Sequence, residues 1–457
     1  MMRLLSVYSK LPVCMQNVAF SLAGAKIRSY RYGPGFHRML NEFEEHTNWT
    51  FDRVANWRDQ KLRELIDHAY RTVPYYHSVM KEGGINPSSI RFADDLKVLP
   101  LLTKDMIKAR PDQFVSSEAR HMRILHVHTS GTTGSGFQFD STVECQQAQF
   151  ACFWRYYRKL GLTLDTWQAQ FSSRNAVPRR QRRPPFWRID CFGKRYYMSA
   201  FHENPDNLAS YYECIARKRF EWISGYPSLM VLLAQWMNER GLAFDFVRAV
   251  TCGAENLYLH QIKAMEGAFG VEPRQTYGQT ENVAIFSQDP DGHIFVDEDF
   301  SVVEFLPVEG SGSLQIVGTC LFNFATPLIR YCTNDEASVR EVKGQRREIL
   351  SLDGRNEDYV ILPDGTKIGK LDHVFKDTPC IREAQIYQYS DYSVVLKIVG
   401  DPASCRDDAI LALKTFRESV GDSVDANVEY VSAIERRGSA KLRYVVSEVE
   451  RNAGDEG

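Results

Sequence analysis

The sequence predicts an α/β protein in two parts, a large multilayer α/β N-terminal domain followed by a small α+β C-terminal domain. Three observations carry this expectation. The chain has 457 residues, more than a single core usually organises, so a large and a smaller unit are expected. Short apolar runs ending in glycine or polar clusters, 124-ILHVHTSG, 221-EWISGYPS and 246-FVRAVTCGAE, read as strands of a buried sheet that alternate with helices such as 228–240. From about Gly354 the texture changes to two alternating runs in 384-AQIYQYSDYSVVLKIV, a helix near Asp408 to Val420 and a strand near 428-VEYVSAI, which is the pattern of a small α+β unit.

The expected boundaries are residues 1–353 and 354–457, with a helical lead-in over 1–120. In that lead-in Leu62, Leu65, Ile66 and Ala69 fall at helix spacing, and turns are built on Pro74 and on Gly83, Gly84 and Pro87. The stretch Met1 to Gly24 is mildly apolar and carries Arg3 and Lys10. It makes a poor signal peptide, because Lys10 and Pro12 interrupt the apolar run, and the chain has no transmembrane segment of about 18 apolar residues. An amphipathic helix packed on the domain is expected, with a helix resting on a membrane surface as the alternative.

Charge narrows the partners. The formal net charge is −2, which gives no global reason to bind nucleic acid. The basic aromatic stretch Arg174 to Arg195 holds eight Lys or Arg residues, but it sits in a near-neutral chain and reads as a local feature. Small-molecule partners follow. Ten cysteines without a C-x-x-C pair fit reduced thiols and a cytoplasmic location, with Cys145 and Cys152 as buried helix residues.

In open α/β sheets ligands sit outside the carboxyl ends of the strands, where the Gly-rich and polar residues fall. The loop 129-TSGTTGSG combines glycines with hydroxyl residues, a cradle for phosphates; a Gly/Ser/Thr surface turn fits the same residues. Gly131 and Gly136 have Walker A spacing, yet Phe137 stands where the lysine must be, which argues against a P-loop phosphotransferase. Next, 277-YGQTE places an aromatic, a glycine, a hydroxyl and a carboxylate within five residues. Tyr277 could cover an adenine ring, Thr280 could bond an α-phosphate and Glu281 could hold magnesium. Further on, Asp335 in 330-RYCTND suits two ribose hydroxyls and Arg355 in 354-GRNED suits a phosphate or carboxylate. Lys441 follows a Gly-Ser loop in 436-RRGSAKLRYVV and could neutralise developing charge. Each of these, taken alone, is also readable as a solvated surface group.

Taken in order, TSGTTG, YGQTE, RYCTND, GRNED and the terminal lysine resemble the adenylate-forming superfamily of acyl-CoA synthetases and ligases. Within it the chain is most similar to the phenylacetate-CoA ligase-like branch, including the capsular-polysaccharide-cluster proteins known as CapK-like. Supporting segments are 68-HAYRTVPYYHSVMKEGGI, 98-VLPLLTKDMI, 184-PPFWR, 224-SGYPSLMVLLA and 252-CGAENL, so the resemblance spans nearly the whole chain.

The resemblance implies ATP and Mg2+ as cofactors and a carboxylic acid as substrate, with CoA, an amine or a hydroxyl as acceptor. It assigns Thr129, Ser130, Gly131, Thr132, Thr133 and Gly134 to the phosphate loop and Gly253, Ala254 and Glu255 to the adenine side. Tyr277, Gly278, Thr280 and Glu281 match the nucleotide and magnesium motif, Asp335 the ribose aspartate, Arg355 the hinge-region arginine, Glu357 the hinge and Lys441 the adenylation lysine. His202, Tyr226 and Cys252 are placed on the substrate side, although a satisfied structural histidine is the preferred reading of His202. The C-terminal domain would then be a lid. Cys332, Asn334 and Ala440 depart from the family's arginine and two glycines, and 361-ILPDGTKIG departs from the glycine loop that lines the CoA tunnel. The expectation is an acyl-AMP-forming ligase whose best acceptor is not CoA. An ordinary aryl- or acyl-CoA ligase, a phosphotransferase and a non-catalytic binding relative stay as alternatives.

Overall fold

The computed structural model describes residues 8–128, 137–172, 176–203, 205–308, 313–355, 359–363, 367–368, 371–375, 378, 380–421, 424–435 and 442–449. The lead-in is helical: α1 (Val13–Arg31), α2 (Pro34–His46), α3 (Phe51–Thr72), α4 (Pro74–Glu82) and α5 (Lys104–Ala109). Their starts are written in the sequence. Pro34 and Pro74 occupy first-turn positions where no N–H is needed, and the Thr50 hydroxyl accepts from Arg53 N to cap α3. The apolar stripe of α3 and α4, Leu62, Leu65, Ile66, Ala69, Tyr76 and Met80, is buried against Val302, Leu321 and Ile329.

Strand β1 (Ile124–His128) pairs only with β2 (Gln138–Thr142), in a two-stranded antiparallel sheet. This corrects the expectation that 124-ILHVHTSG belongs to the large buried sheet. The Thr142 hydroxyl then caps α6 (Val143–Lys159), on which Cys145 and Cys152 are both buried.

The large sheet takes β3 (Gln168–Ser172), β4 (Trp187–Asp190), β5 (Arg195–Ser199), β6 (Trp222–Gly225), β7 (Ala249–Gly253) and β8 (Arg274–Gly278), with α7 (Pro205–Lys218), α8 (Pro227–Asn238) and α9 (Leu259–Phe269) between strands. It continues through β9 (Ile285–Gln288), β10 (Ile294–Val296), β11 (Ser301–Pro307), β12 (Leu314–Cys320), β13 (Tyr331–Arg340) and β14 (Glu348–Arg355). The order is β11-β12-β13-β14-β10-β9-β8-β7-β6-β3-β5-β4, parallel from β5 to β8 and antiparallel beyond. One face of the parallel part, with Ala169, Phe171, Met198, Ile223 and Val250, packs on Leu229, Leu233 and Met237 of α8 and on Tyr211 of α7. The antiparallel part curls around Ala284, Phe286, Val296, Val303, Ile316 and Ile349.

The C-terminal part is separate in its sheets. A hairpin of β15 (Val360–Ile361) and β16 (Lys367–Ile368) precedes β17 (Glu383–Gln388), β18 (Val394–Val399), α10 (Arg406–Val420), β19 (Ala426–Tyr430) and β20 (Val445–Ser447), in the order β19-β18-β17-β20. Ile386, Leu396 and Ile398 pack on Ala409, Ala412 and Phe416. The buried Gln388 side chain binds both the N–H and the carbonyl of Ile361, tying the hairpin to this sheet. The architecture is the expected fold class, a large α/β domain with a small α+β domain.

Candidate active site

Parallel register aligns the carboxyl ends of the central strands. Ser172 pairs with Ser199, Gly225 with Cys252 and Gly253 with Thr276, so the segments that leave this row include 224-SGYPS, 252-CGAENL and 277-YGQTE. Gly225 has φ +147°, and a Cβ there would lie 1.8 Å from the Phe171 carbonyl oxygen; only glycine lets β6 turn into α8 at that point. Ala254 and Asn282, just beyond two of these strand ends, both have positive φ, 68° and 60°.

The next relationship is long-range. Tyr277 on β8 stacks on Phe286 with ring centroids 4.7 Å apart, and its hydroxyl donates to Asp335 Oδ2 on β13 at 2.8 Å. Four strand spacings separate β8 from β13, about 19 Å in a flat sheet, so only the curl of the antiparallel part brings the two together. Gln279 braces the pair, donating from Nε2 to the Tyr277 hydroxyl at 3.1 Å while its Oε1 accepts from Ala284 N at 3.3 Å. Burial, then the Asp335 carboxylate, push the Tyr277 hydroxyl well above its ordinary range, so it stays a donor.

Asp335 is held on its own strand as well. Its N–H donates to the Thr333 hydroxyl at 3.1 Å, and its residue pairs in register with Arg355 of β14. Asn334 has φ +61°, a left-handed conformation that asparagine tolerates better than most residues; this accounts for asparagine where the related motif has glycine. Cys332 is buried in β13 and its N–H donates to the Leu102 carbonyl, so it is a packing residue. At the end of β8 Gly278 and Thr280 are exposed, and Glu281 accepts a long hydrogen bond, 3.4 Å, from the Tyr331 hydroxyl.

Three residues expected beside a ligand are otherwise engaged. Cys252 is buried in the core against α8, and burial drives its thiol upward, away from reactivity. His202 is buried, stacked on Phe186 and bonded through Nδ1 to the Ser199 hydroxyl at 2.7 Å; burial lowers its basicity. It is a core histidine. Glu255, expected on the adenine side, has both oxygens on backbone: Oε2 accepts from Ser228 N in the first turn of α8 and Oε1 accepts from Leu442 N, each at 3.1 Å. Tyr226 is half-buried at the start of α8. The phosphate loop 129–134, Glu357, Lys441 and the Arg355 side chain lie outside the described residues.

The sequence reading missed the bracing by Gln279, the Tyr331 bond to Glu281 and the interdomain bond of Glu255. Gln279 and Tyr331 stand inside motifs already singled out. Nothing in the sequence linked Glu255 to Leu442, which lies 187 residues away. Among the described residues no group of three His, Cys, Asp or Glu could hold a metal ion. Magnesium held by one carboxylate together with nucleotide phosphates needs no such cluster.

These strands and the curled sheet beside them define the fold of the adenylate-forming CoA ligases. Against 2-hydroxyisobutyryl-CoA ligase in the postadenylation state with 2-HIB-AMP, the TM-score is 0.64 at 15% identity, covering 86% of this chain and 89% of that one. Against the same ligase with 2-HIB-AMP and CoA in the thioesterification state it is 0.51 at 16% identity, with the same coverage. Residues 360–448 match the CapK C-terminal domain. Along its length the chain is similar to Protein CapK of Staphylococcus aureus, 20% identical over 456 residues, which is 97% of this chain and 99% of that protein.

Proposed function

We propose that the protein activates a carboxylic acid with ATP. The acid's carboxylate attacks the α-phosphorus, giving acyl-AMP and pyrophosphate, and the acyl group then passes to an acceptor with release of AMP. The observation that carries this reading is the Tyr277–Asp335 pair on the strand that leads to exposed Thr280 and half-buried Glu281. An aromatic ring, a carboxylate for two ribose hydroxyls, a hydroxyl for phosphate and a carboxylate for magnesium stand at one end of one sheet, which fits a nucleoside triphosphate. Glu281 would hold the magnesium ion, whose charge offsets that of the phosphates. The Gly/Ser/Thr loop 129–134 and Arg355 would bind phosphate, and Lys441 would act on charge developing in the transition state. The lid is residues 354–457 and turns about Glu357 between the two half-reactions.

The acceptor we propose is other than CoA, with a place in polysaccharide or other specialised biosynthesis. The β15–β16 hairpin puts Pro363 in its turn and is fixed by Gln388, where a CoA ligase would keep a permissive glycine loop. The second reading, an ordinary aryl- or acyl-CoA ligase, is favoured by the likeness to CoA ligases of this fold. The test is pyrophosphate exchange into ATP across a panel of aromatic, aliphatic and amino acids, followed by acceptor screening. Acid-dependent exchange supports adenylation; ADP formation without exchange would return the phosphotransferase reading.

A further inference from the structure

Helix α1 is docked the wrong way round for a protein surrounded only by water. The side facing the domain is mostly polar and small, with Phe20, packed on Tyr197, as its aromatic contact. Gln16 Oε1 accepts from Arg188 Nε at 2.6 Å, Asn17 Oδ1 accepts from Ile189 N at 3.0 Å and the Ser21 hydroxyl donates to the Ile189 carbonyl at 3.3 Å. Gly24 sits so close to Asp190 that a Cβ there would lie 1.9 Å from its carboxylate. The opposite side carries Met15, Val18 and Leu22, which are 51%, 59% and 64% exposed. Their spacing of three and four residues makes one stripe, extended by exposed Ala19 and Ala23. A surface helix normally turns such a stripe inward, and a contiguous exposed apolar stripe marks a surface that something covers.

The charge around the stripe says what covers it. Arg180 Nη2 donates to the Ser9 carbonyl at 3.2 Å, which sets the loop of exposed Arg179, Arg180, Arg182 and Arg183 beside the start of α1. Exposed Lys10 and Lys26 lie on the same segment. Neither residues 8–31 nor residues 166–189 contain an aspartate or a glutamate. An apolar stripe flanked by these cations, with the acids beside α1 already engaged, Asp190 by Gly193 N and Asp165 by Arg28, is complementary to the interface of an anionic lipid bilayer. A second copy of the chain would bring its own cations against these, and a nucleic acid would leave Val18 and Leu22 uncovered.

We propose that α1 and the 179–183 loop form a peripheral docking surface for anionic membrane. Met15, Val18 and Leu22 enter the acyl boundary while the arginines meet lipid phosphates. No helix among the described residues is long and apolar enough to cross a membrane, so the attachment is to one face only.

The test is sedimentation of the full-length protein with vesicles of phosphatidylcholine alone and of phosphatidylcholine mixed with phosphatidylglycerol. The expected result is salt-sensitive binding to the mixed vesicles and little to phosphatidylcholine. Val18→Ser with Leu22→Ser should weaken binding roughly tenfold or more, and Arg180→Gln, Arg182→Gln and Arg183→Gln roughly fivefold per charge. All five positions are exposed, and unchanged melting curves would verify that the variants fold. Failure of the wild type to bind mixed vesicles would overturn the proposal. So would variants that bind as well as wild type, or a polyanion such as heparin binding in a way the serine changes do not affect. Loss of a solution dimer in the serine variant without vesicle binding would assign the stripe to a second copy instead.

Discussion

Tyr277 and Asp335 are 58 residues apart in the chain and joined by a 2.8 Å hydrogen bond across the curled sheet. The bond sets the Asp335 carboxylate and the Tyr277 ring side by side, where the proposed ribose and base would lie. Asp335→Ala should weaken ATP binding about tenfold or more, the loss of a charged acceptor for two hydroxyls. Tyr277→Phe keeps the Phe286 stack but frees the carboxylate, and should cost about 1–2 kcal/mol of stability. Isothermal titration with ATP and urea unfolding check the two, and unaltered nucleotide affinity in Asp335→Ala would remove that residue from the site.

Glu255 joins the two domains through backbone, so its removal should loosen the small domain without touching either core. The same interface holds Tyr258 edge-on to Tyr444 at 5.7 Å and Arg382 3.7 Å from Glu239. Limited proteolysis of Glu255→Ala should cut between the domains several-fold faster than in wild type, with the individual fragments as resistant as before. Equal cleavage rates would mean that Glu255 does not hold the domains together.

The three acids of 297-DED-299 are buried. Arg155 binds Asp297 and Asp299, His46 binds Asp299 at 2.8 Å, and Arg58 and Arg347 both bind Glu298. Arg155→Met should cost about 3–5 kcal/mol, because two buried carboxylates lose their cation. Burial alone would raise Asp299 and Glu298; Arg155 and His46 for the first, and Arg347 and Arg58 for the second, outweigh it and hold both below the usual carboxylate range. Depressed values stabilise the fold above the unfolded-state value and lose that contribution as pH falls. Asp297 runs the other way, raised by burial against Arg155, and subtracts part of the gain. The net expectation is a fall in melting temperature that begins below about pH 4 and is reduced in Arg155→Met.

Lys441→Ala should abolish acyl-AMP formation while ATP affinity and melting temperature stay near wild type, because its work is on transition-state charge. Pyrophosphate exchange and calorimetry separate these quantities. Normal exchange by the variant would remove Lys441 from the chemistry.

The elements were legible where a local signal suffices. Pro34, Pro74 and Thr50 mark helix starts, and Gly253 ends a strand whose apolar run could be read directly. Pairing is not local, and the alternation of 124-ILHVH could not say that β1 pairs with β2 alone. The acids of 297-DED look like a surface turn in sequence, because their partners Arg58, Arg155 and Arg347 arrive from distant segments. Tyr277 and Asp335 were legible as members of an ordered set of motifs; their contact depends on the curl of a sheet. His202 is buried, in keeping with its reading as a structural histidine, and the burial of Cys252 was not legible because burial is a property of the packed core.

The central claim is that the acid's own oxygen ends on AMP. A cognate acid found by the exchange screen, labelled with 18O in its carboxylate, is turned over with ATP and an acceptor, and the nucleotide product is weighed by mass spectrometry. In-line attack on the α-phosphorus predicts AMP carrying one 18O atom, with unlabelled pyrophosphate. Unlabelled AMP, or ADP as the nucleotide product, would contradict the account.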